Sequence, residues 1–248
     1  MNGTAQTRWS YRLKLALGFA LLTVGSVVML AVALVTAFQA RRFYTERMAS
    51  PMGRWILRRL GIRVVVHDQP PDTGEQRIYI SNHTSTLDLF VLIGLGLPNT
   101  RFFLAGFLRK LLPLGLIGYL TGVIWTVPQE FPVKRVAIFT RAERILRRTG
   151  ESVYLSPEGK RVATGEVGAF NKGAFHLATN LGAPIVPFYI YIPPAIDPGM
   201  SYAAQPGQVD VYFKPAIETS DWQLADLVAN KEAVRDRFVA WHDEHHGD

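Results

Sequence analysis

His83 and Asp88 stand five residues apart in "NHTSTLD", a spacing at which an imidazole and a carboxylate could form an acid–base couple. The same spacing joins His67 to Asp72 in "HDQPPD", where two prolines exclude a helix and predict a surface turn. "NHTSTLD" instead follows a predicted strand and opens a predicted helix, a position where α/β sheets bind ligands. A purely structural interpretation also fits, because Ser85-x-x-Asp88 is a capping-box pattern that places a carboxylate at a helix N-terminus.

Small and cationic residues gather in a second stretch, "LSPEGKRVATGEVGAFNKGAFHLA". It is predicted to run from a strand through a Gly-rich loop into a helix. Glycine allows close approach to the backbone, and Lys and Arg side chains bind phosphate. The candidate contacts are Glu158, Gly159, Lys160, Arg161 and Lys172. An ordinary basic loop in front of a half-buried helix is the alternative, and the Walker pattern G-x-x-x-x-G-K-[ST] is absent.

Strand-like and helix-like segments alternate along the chain, which predicts an α/β domain with a mostly parallel sheet flanked by helices. Short β-branched or aromatic runs predict strands at 62–66, 77–81, 123–127, 152–156, 184–190 and 209–214. Helices are predicted at 40–60, 87–97, 133–148, 170–181 and 221–244. The strongly apolar residues 101–122 are predicted to form core helices or a hairpin that dips into the membrane interface.

Residues 15–38 form an uncharged apolar run ahead of these elements. As a helix the run would span about 36 Å, against roughly 30 Å of bilayer hydrocarbon. It is too long for the apolar core of a signal peptide, about 7–15 residues, and therefore predicts a retained single-pass membrane anchor. More arginines follow the run than precede it, which predicts a cytoplasmic main domain. The predicted division is an anchor at 1–39, an α/β domain at 40–220, and a C-terminal helix and tail at 221–248.

The formal net charge of +7 favours an anionic partner. Basic residues border apolar stretches, as in "FLRKLL" at 107–112, so anionic lipid headgroups are a better match than nucleic acid. The chain has no cysteine and no G-x-S-x-G elbow, so neither thiol nor serine-elbow chemistry is predicted. "HDEHH" at 242–246 has Asp where zinc proteases have Glu, and no metal site is predicted.

Taken together, these stretches resemble the glycerolipid acyltransferase family typified by 1-acyl-sn-glycerol-3-phosphate acyltransferase. The family's N-H-x4-D, P-E-G-T-R-type, F-x-K-G-A-F-x-L-A and V-P elements stand here in order as "NHTSTLD", "SPEGKR", "FNKGAFHLA" and "APIVPFYI". The resemblance covers about residues 50–215. It implies a single acyltransferase domain that transfers a fatty acyl group from acyl-CoA or acyl-ACP, as cosubstrate, without a cofactor.

The resemblance also implies roles for individual residues. His83 would be the general base that takes the proton of the acceptor hydroxyl, and Asp88 would bond the other ring nitrogen. The hydroxyl would then attack the thioester directly. Glu158, Gly159 and Arg161 match the family's acceptor-binding loop, with Arg161 holding phosphate and Glu158 orienting Arg161 or accepting a glycerol hydroxyl.

Two departures from the family pattern concern the acceptor. Lys160 replaces the usual Thr, and the F-x-x-R element reads "GVIWTVP", with Trp125 for Phe and Pro128 for Arg. Arg135 in "FPVKR" is a candidate substitute. The expected function is acylation of a lysophospholipid in phospholipid biosynthesis, with 1-acylglycerol 3-phosphate giving phosphatidic acid. Two alternatives stay open: another acceptor such as a lyso-aminolipid, and a non-catalytic lipid-binding membrane protein that would not need the His83–Asp88 pair.

Overall fold

The computed structural model describes residues 3–162, 166–196 and 204–246. Within these residues seven strands form one mixed sheet in the order β1-β7-β6-β2-β5-β3-β4. The strands are β1 (Ile62–His67), β2 (Ile78–Ser81), β3 (Thr100–Ala105), β4 (Ile124–Thr126), β5 (Ser152–Tyr154), β6 (Ile185–Tyr191) and β7 (Gly207–Phe213). The prediction of a mostly parallel α/β sheet is confirmed.

Strands β2 to β6 all run in the same direction, because every neighbouring pair among them is parallel. β7 runs antiparallel to β6 and parallel to β1. The carboxyl ends of β2, β3, β4, β5 and β6 therefore meet at one edge of the sheet, called the carboxyl edge below. Strand-to-helix loops gather at this edge, as ligand sites in α/β sheets require.

Helices cover both faces of the sheet. They are α1 (Gly3–Val35), α2 (Arg41–Phe43), α3 (Ser50–Leu60), α4 (Asp88–Leu95), α5 (Leu112–Thr121), α6 (Pro132–Thr149), α7 (Gly173–Leu181) and α8 (Leu227–His246). α3 and α4 pack on one face with Tyr79, whereas α6, α7 and α8 pack on the other with Ile78 and Ile80. This split follows from the alternation of side chains along β2. A π-helical turn, Tyr44–Ala49, joins α2 to α3.

Helix α1 contains most of the apolar run 15–38 and ends at Val35, and its segment Ala16–Val35 is long and apolar enough to cross a membrane. One side of α1 packs against the domain, where Met29 and Ala33 contact Tyr44 and α5. The other side exposes large apolar side chains such as Phe19 and Val28. The predicted boundaries between the anchor, the α/β domain and the C-terminal tail, at 39/40 and 220/221, remain predictions.

The prediction for residues 101–122 was wrong in its first part, because Thr100–Ala105 is a strand rather than a helix. Phe102 and Phe103 are both buried, one on each face of the sheet. An inner strand of a parallel sheet is apolar on both faces and so lacks the alternation that marks a half-buried strand. A 3₁₀ turn, Gly106–Lys110, and then helix α5 follow. The C-terminal helix begins at Leu227 rather than at 221.

Candidate active site

His83 and Asp88 meet at the carboxyl end of β2. His83 lies in the loop after the strand, and Asp88 is the first residue of α4. The Nδ1 atom of His83 lies 2.7 Å from Oδ2 of Asp88. The carboxylate is 1% exposed, whereas the imidazole is 34% exposed. An imidazole held in this way through Nδ1 presents Nε2 to solvent, where that atom can accept a proton.

Asp88 also fixes the backbone of the loop that carries His83. Its Oδ2 atom accepts the N–H groups of Thr84 at 2.9 Å and Ser85 at 3.0 Å. The Oγ atom of Ser85 accepts the N–H of Leu87. The bond from the Ser85 N–H to Asp88 is half of the predicted capping box. The capping and dyad interpretations therefore coexist, because one carboxylate oxygen serves both.

The start of the loop is tied to the neighbouring strands. The side-chain amide of Asn82 donates to the carbonyl of Ile190 and accepts the N–H of the same residue. Beneath it, Ser81 Oγ lies 2.9 Å from the hydroxyl of Tyr154, whose pKa is raised by burial. These contacts join β2 to β6 and β5 just below His83. The sequence indicated only a turn at Asn82, because its partner is distant in the chain.

Glu158 clamps the backbone of His83 from the loop after β5. Its Oε2 atom accepts the N–H of His83 at 2.7 Å, and its Oε1 atom accepts the N–H of Gly168 at 2.9 Å. On the other side, the N–H of Val162 donates to the carbonyl of His83. Among the described residues, no bond joins Glu158 to Arg161, so the predicted orientation of Arg161 by this carboxylate is not seen. Burial raises the pKa of Glu158 to about 7.

A second pair of side chains holds the peptide that follows Glu158. Asn171 Nδ2 donates to the carbonyls of Pro157 and Glu158, and Gln129 Nε2 reaches the Glu158 carbonyl at 3.5 Å. Gly159 adopts a left-handed conformation with φ +68° beneath these two amides. Asn171 and Gln129 were missed by sequence reasoning. Asn171 lies within "FNKGAF", so its place in that motif was an available signal.

The predicted cations lie on the chain segment that joins β5 to α7, at the carboxyl edge that also carries the dyad. Val162 bonds the His83 carbonyl, so the neighbouring Arg161 lies beside the dyad. Lys160 is exposed, and Lys172 is exposed at the first position before α7. Within the described residues none of these three cations pairs with a carboxylate. Unpaired cations at the carboxyl edge form a surface that attracts a phosphate.

An uncharged pocket lies between the sheet and α4 and α5, close to the dyad. Its wall includes Leu89, the residue after Asp88, and extends along β3 from Leu104 to Phe102. The full lining is Thr45, Ala49, Leu89, Ile93, Gly96, Leu97, Phe102, Leu104, Leu108, Leu114, Ile117, Gly118, Thr121, Val123 and Trp125. A pocket with this lining is suited to an apolar group.

Two other sequence features were considered as possible sites and were not predicted to be functional. His67 bonds Asp210 at 2.9 Å rather than Asp72, so "HDQPPD" forms no His–Asp pair of its own. Within the described parts of the chain, no three His, Cys, Asp or Glu side chains form a group that could hold a metal ion.

Replacing Glu158 with Gln is expected to lower kcat about 10–100-fold, because Gln has one acceptor oxygen for two backbone donors and the His83 backbone shifts. Steady-state kinetics with separate kcat and KM values test this expectation. Loss of kcat with KM retained would identify Glu158 as a positioning residue, whereas a change in KM alone would indicate direct acceptor contact.

The same variant is expected to change how stability depends on pH. The buried carboxyl keeps its proton up to about pH 7, whereas in the unfolded chain it ionises near its ordinary pKa of 4.5. The folded state therefore binds more protons in this window, and wild-type stability falls as pH rises through it, by on the order of 3 kcal/mol. Glu158→Gln should lack this slope in thermal unfolding at pH 4.5–7, and an unchanged slope would contradict the assignment.

Replacing Gly159 with Ala is expected to destabilise the loop and lower the rate. A Cβ at this position would lie 2.7 Å from Nδ2 of Asn171 and 3.2 Å from Nε2 of Gln129. The left-handed backbone alone costs about 1–2 kcal/mol. Gly150→Ala is the matched control, because Gly150 has φ +65° and nothing within 4 Å of an added Cβ. Equal losses of stability and activity in the two variants would show that the amide contacts at Gly159 are unimportant.

The fold and the site define an acyltransferase-type α/β domain, in which a His–Asp pair at the carboxyl edge lies beside a cationic loop and an apolar pocket. The chain belongs to the Acyltransferase family, whose family model matches residues 62–191, just over half of its length.

Curated relatives named 1-acyl-sn-glycerol-3-phosphate acyltransferase align with about two thirds of the chain. The chloroplastic BAT2 protein of Brassica napus is 30% identical over 174 residues, which cover 68% of this chain and 49% of that protein. The human beta enzyme is 34% identical over 174 residues, which cover 68% of this chain and 61% of the human one. The chain thus spans between about half and three fifths of the length of these relatives.

A solved structure supports the architecture. The crystal structure of the 1-acyl-sn-glycerophosphate (LPA) acyltransferase PlsC from Thermotoga maritima superposes with a TM-score of 0.70. It covers 93% of this chain and 96% of its own, at 20% sequence identity. At this identity the likeness establishes the fold.

Proposed function

We propose that this protein is an O-acyltransferase that moves a fatty acyl group from a thioester, acyl-CoA or acyl-ACP, to the hydroxyl of a lysophospholipid. The observation that carries the proposal is the 2.7 Å contact between His83 Nδ1 and Asp88 Oδ2 at the carboxyl edge of an acyltransferase-family domain. In the proposed reaction His83 Nε2 removes the hydroxyl proton as the hydroxyl oxygen attacks the thioester carbonyl. The tetrahedral intermediate then collapses, the C–S bond breaks, and the CoA or ACP sulfur leaves as the thiol with the proton returned by the imidazolium. Asp88 fixes the tautomer and stabilises the imidazolium.

The apolar pocket supports a lipid substrate. It begins next to Asp88 and continues away from the carboxyl edge between the sheet and α5. Among the residues that the structure describes, no charged side chain lines it, so burial of a fatty acyl chain there would leave no buried charge unpaired. We infer that the acyl chain undergoing transfer lies in this pocket with its carbonyl near His83.

The proposed acceptor is 1-acylglycerol 3-phosphate, which would give phosphatidic acid in phospholipid biosynthesis. The relatives carry this substrate in their names. Lys160, Arg161 and Lys172 supply cations at the edge that carries the dyad, and the proposed phosphate contacts are Arg161 with support from the two lysines. Gly159 lets the acceptor approach the backbone. Glu158 has both oxygens occupied by backbone donors and acts by positioning His83.

A second acceptor class is favoured by one specific observation. Pro128 stands where the family pattern has arginine, and the nearest replacement, Arg135, donates to the carbonyl of Val127 at 3.1 Å. Arg135 therefore reaches the same turn from α6, but part of its donor capacity is used there. If Arg135 does not contact phosphate, another lyso-lipid such as a lyso-aminolipid becomes the better acceptor.

The proposed location is a membrane, with α1 as the anchor and the catalytic domain on the cytoplasmic face. The apolar segment Ala16–Val35 and the excess of arginine after it support this arrangement. An anionic membrane surface is the proposed partner of the basic chain.

The test is an assay of the purified protein with acyl-CoA and acyl-ACP and a panel of phosphorylated and unphosphorylated lysolipids. We expect acylation of 1-acylglycerol 3-phosphate above all other acceptors, and a raised KM for it in Arg135→Ala. If no acceptor is acylated, the enzyme proposal fails. If only unphosphorylated acceptors react, the phosphatidic acid proposal fails and the second acceptor class stands.

A further inference from the structure

Large apolar side chains project into solvent at the carboxyl edge, on the segments that follow β3 and β4. Leu112 is 80% exposed and Val133 is 81% exposed, far beyond what core packing would leave. The set, called the apolar rim below, consists of Phe107, Leu111, Leu112, Phe131 and Val133. Single exposed apolar residues are ordinary on protein surfaces, but a contiguous group marks an interaction surface.

The rim is one surface because β3 and β4 are parallel neighbours, with Ala105 paired to Thr126. Gly106 lies directly against the carbonyl of Thr126, which brings the two following segments together. His83 follows β2, which runs in the same direction as these strands. The rim and the dyad therefore lie at the same edge of the sheet.

Cations accompany the rim. Arg109 and Lys110 lie between Phe107 and Leu111, and both are exposed. Lys134 places its Nζ atom 4.9 Å from the centroid of the Phe131 ring. Glu130 is the one carboxylate in the described segments 106–112 and 127–135. Apolar side chains bordered by Lys and Arg match an anionic bilayer, where the chains enter the interface and the cations meet headgroup phosphates.

The opposite edge of the sheet has a different character. The segment between β1 and β2 carries Asp68, Asp72 and Glu75, and Gln76 bonds the backbone just before β5. One of these carboxylates, Asp72, is paired with Arg42 at 3.1 Å. In the described segments 106–112 and 127–135, by contrast, exposed cations outnumber the single carboxylate, which favours the edge with the dyad for contact with anionic lipid.

We propose that the apolar rim is a bilayer-docking surface, separate from α1, that places the mouth of the active site on an anionic membrane. The inference rests on the proposed function insofar as the acceptor is a membrane lipid. Docking at this edge lets a lysolipid reach His83 from the leaflet without crossing water. A protein partner would need pockets that match these side chains individually. An anionic bilayer accepts them without such pockets, because its hydrocarbon takes up the apolar side chains and its headgroups bind the cations.

The cysteine-free chain allows a direct test. Three single-cysteine variants of the full-length protein are each labelled with an environment-sensitive fluorophore: Phe107→Cys, Leu112→Cys and Val133→Cys. Each is reconstituted in phosphatidylcholine vesicles that contain phosphatidylglycerol. Leu224→Cys is the matched control. Leu224 is also exposed, at 55%, but lies near the opposite edge, where Thr219 bonds the carbonyl of Ala183 ahead of β6.

The three rim labels are expected to shift their emission to the blue and to be quenched by nitroxides attached to lipid acyl chains. The Leu224 label should keep its aqueous spectrum. Arg109→Ser combined with Lys110→Ser should reduce the shift at position 107, and removal of phosphatidylglycerol should do the same. Aqueous spectra at all three rim positions would overturn the proposal, as would equal shifts at the rim and at position 224.

This experiment separates the docking surface from the enzyme activity. Acyl transfer by a protein whose rim labels report water would leave the proposed function intact and reject the docking surface. If the rim labels report a lipid environment but the protein acylates no lysolipid, the docking surface stands and the proposed function is rejected. Phe107→Ser combined with Leu112→Ser adds a kinetic measurement. KM is expected to rise for an acceptor embedded in vesicles and to stay unchanged for a water-soluble short-chain acceptor.

Discussion

Replacement of His83 with Ala is expected to lower kcat by about 10²–10⁴-fold, the contribution of a positioned general base. The imidazole is partly exposed, and its Nδ1 atom is held by a buried carboxylate, which leaves Nε2 as the nitrogen that can act as a base. Without it, the acceptor hydroxyl keeps its proton as it attacks the thioester. In the proposed mechanism substrate binding depends on the pocket and the cationic loop, so KM should change little.

The measurement is steady-state acyl transfer by the purified full chain, with thermal unfolding of the same samples. The fold should be retained, because the backbone N–H and carbonyl of His83 keep their bonds to Glu158 and Val162. His67→Ala is the matched control, since His67 also bonds a carboxylate, Asp210, but lies on β1 away from the dyad. A near-wild-type rate in His83→Ala would exclude His83 as the base.

The comparison of His67 with His83 also shows what sequence reasoning can reach. Both histidines precede an aspartate by five residues, and only the position of "NHTSTLD" between a strand and a helix favoured one of them. That context permitted the pairing with Asp88 but left a helix cap as an alternative explanation of the same aspartate. The pairing itself was expected from the family resemblance, and the structure shows that both interpretations hold.

The contacts that hold the dyad in place are long-range and were not predicted. Glu158 meets the His83 backbone across 75 positions, and Asn82 meets Ile190 across 108. Such partners depend on strand order, which no local pattern specifies. Glu158 accordingly was predicted as an acceptor contact, although both of its oxygens bond the backbone.

The apolar composition that predicted core helices or a membrane-dipping hairpin at residues 101–122 concealed a strand. Hydropathy reports burial or lipid contact without distinguishing the two, and β3 is buried on both faces, whereas Phe107 and Leu112 just beyond it are exposed. Only the sheet register separates the buried residues from the exposed ones. The division of this stretch into core strand and surface rim therefore had to come from three-dimensional structure.

Replacement of Asp88 with Asn is expected to lower kcat by about 10²–10⁴-fold while preserving most of the fold, since the loss of orientation and charge behind a catalytic imidazole has effects of this size. The Asn oxygen can take the place of Oδ2, which accepts from His83, Thr84 and Ser85. Its amide nitrogen then occupies the place of Oδ1, which is buried without a hydrogen-bond partner among the described residues. The variant therefore removes the negative charge and keeps the geometry.

Comparison with Asp88→Ala separates chemistry from structure. Ala removes the carboxylate oxygen that accepts the N–H groups of Thr84 and Ser85, and loss of such a hydrogen bond in a buried setting costs about 1–3 kcal/mol. We expect Asp88→Ala to lower the melting temperature clearly more than Asp88→Asn, with both variants similarly inactive and KM little changed in Asp88→Asn. Asp210→Asn is the control, because it removes the carboxylate from the other His–Asp pair. If Asp88→Asn were active and only Asp88→Ala inactive, Asp88 would serve as a structural cap and its charge would have no part in catalysis.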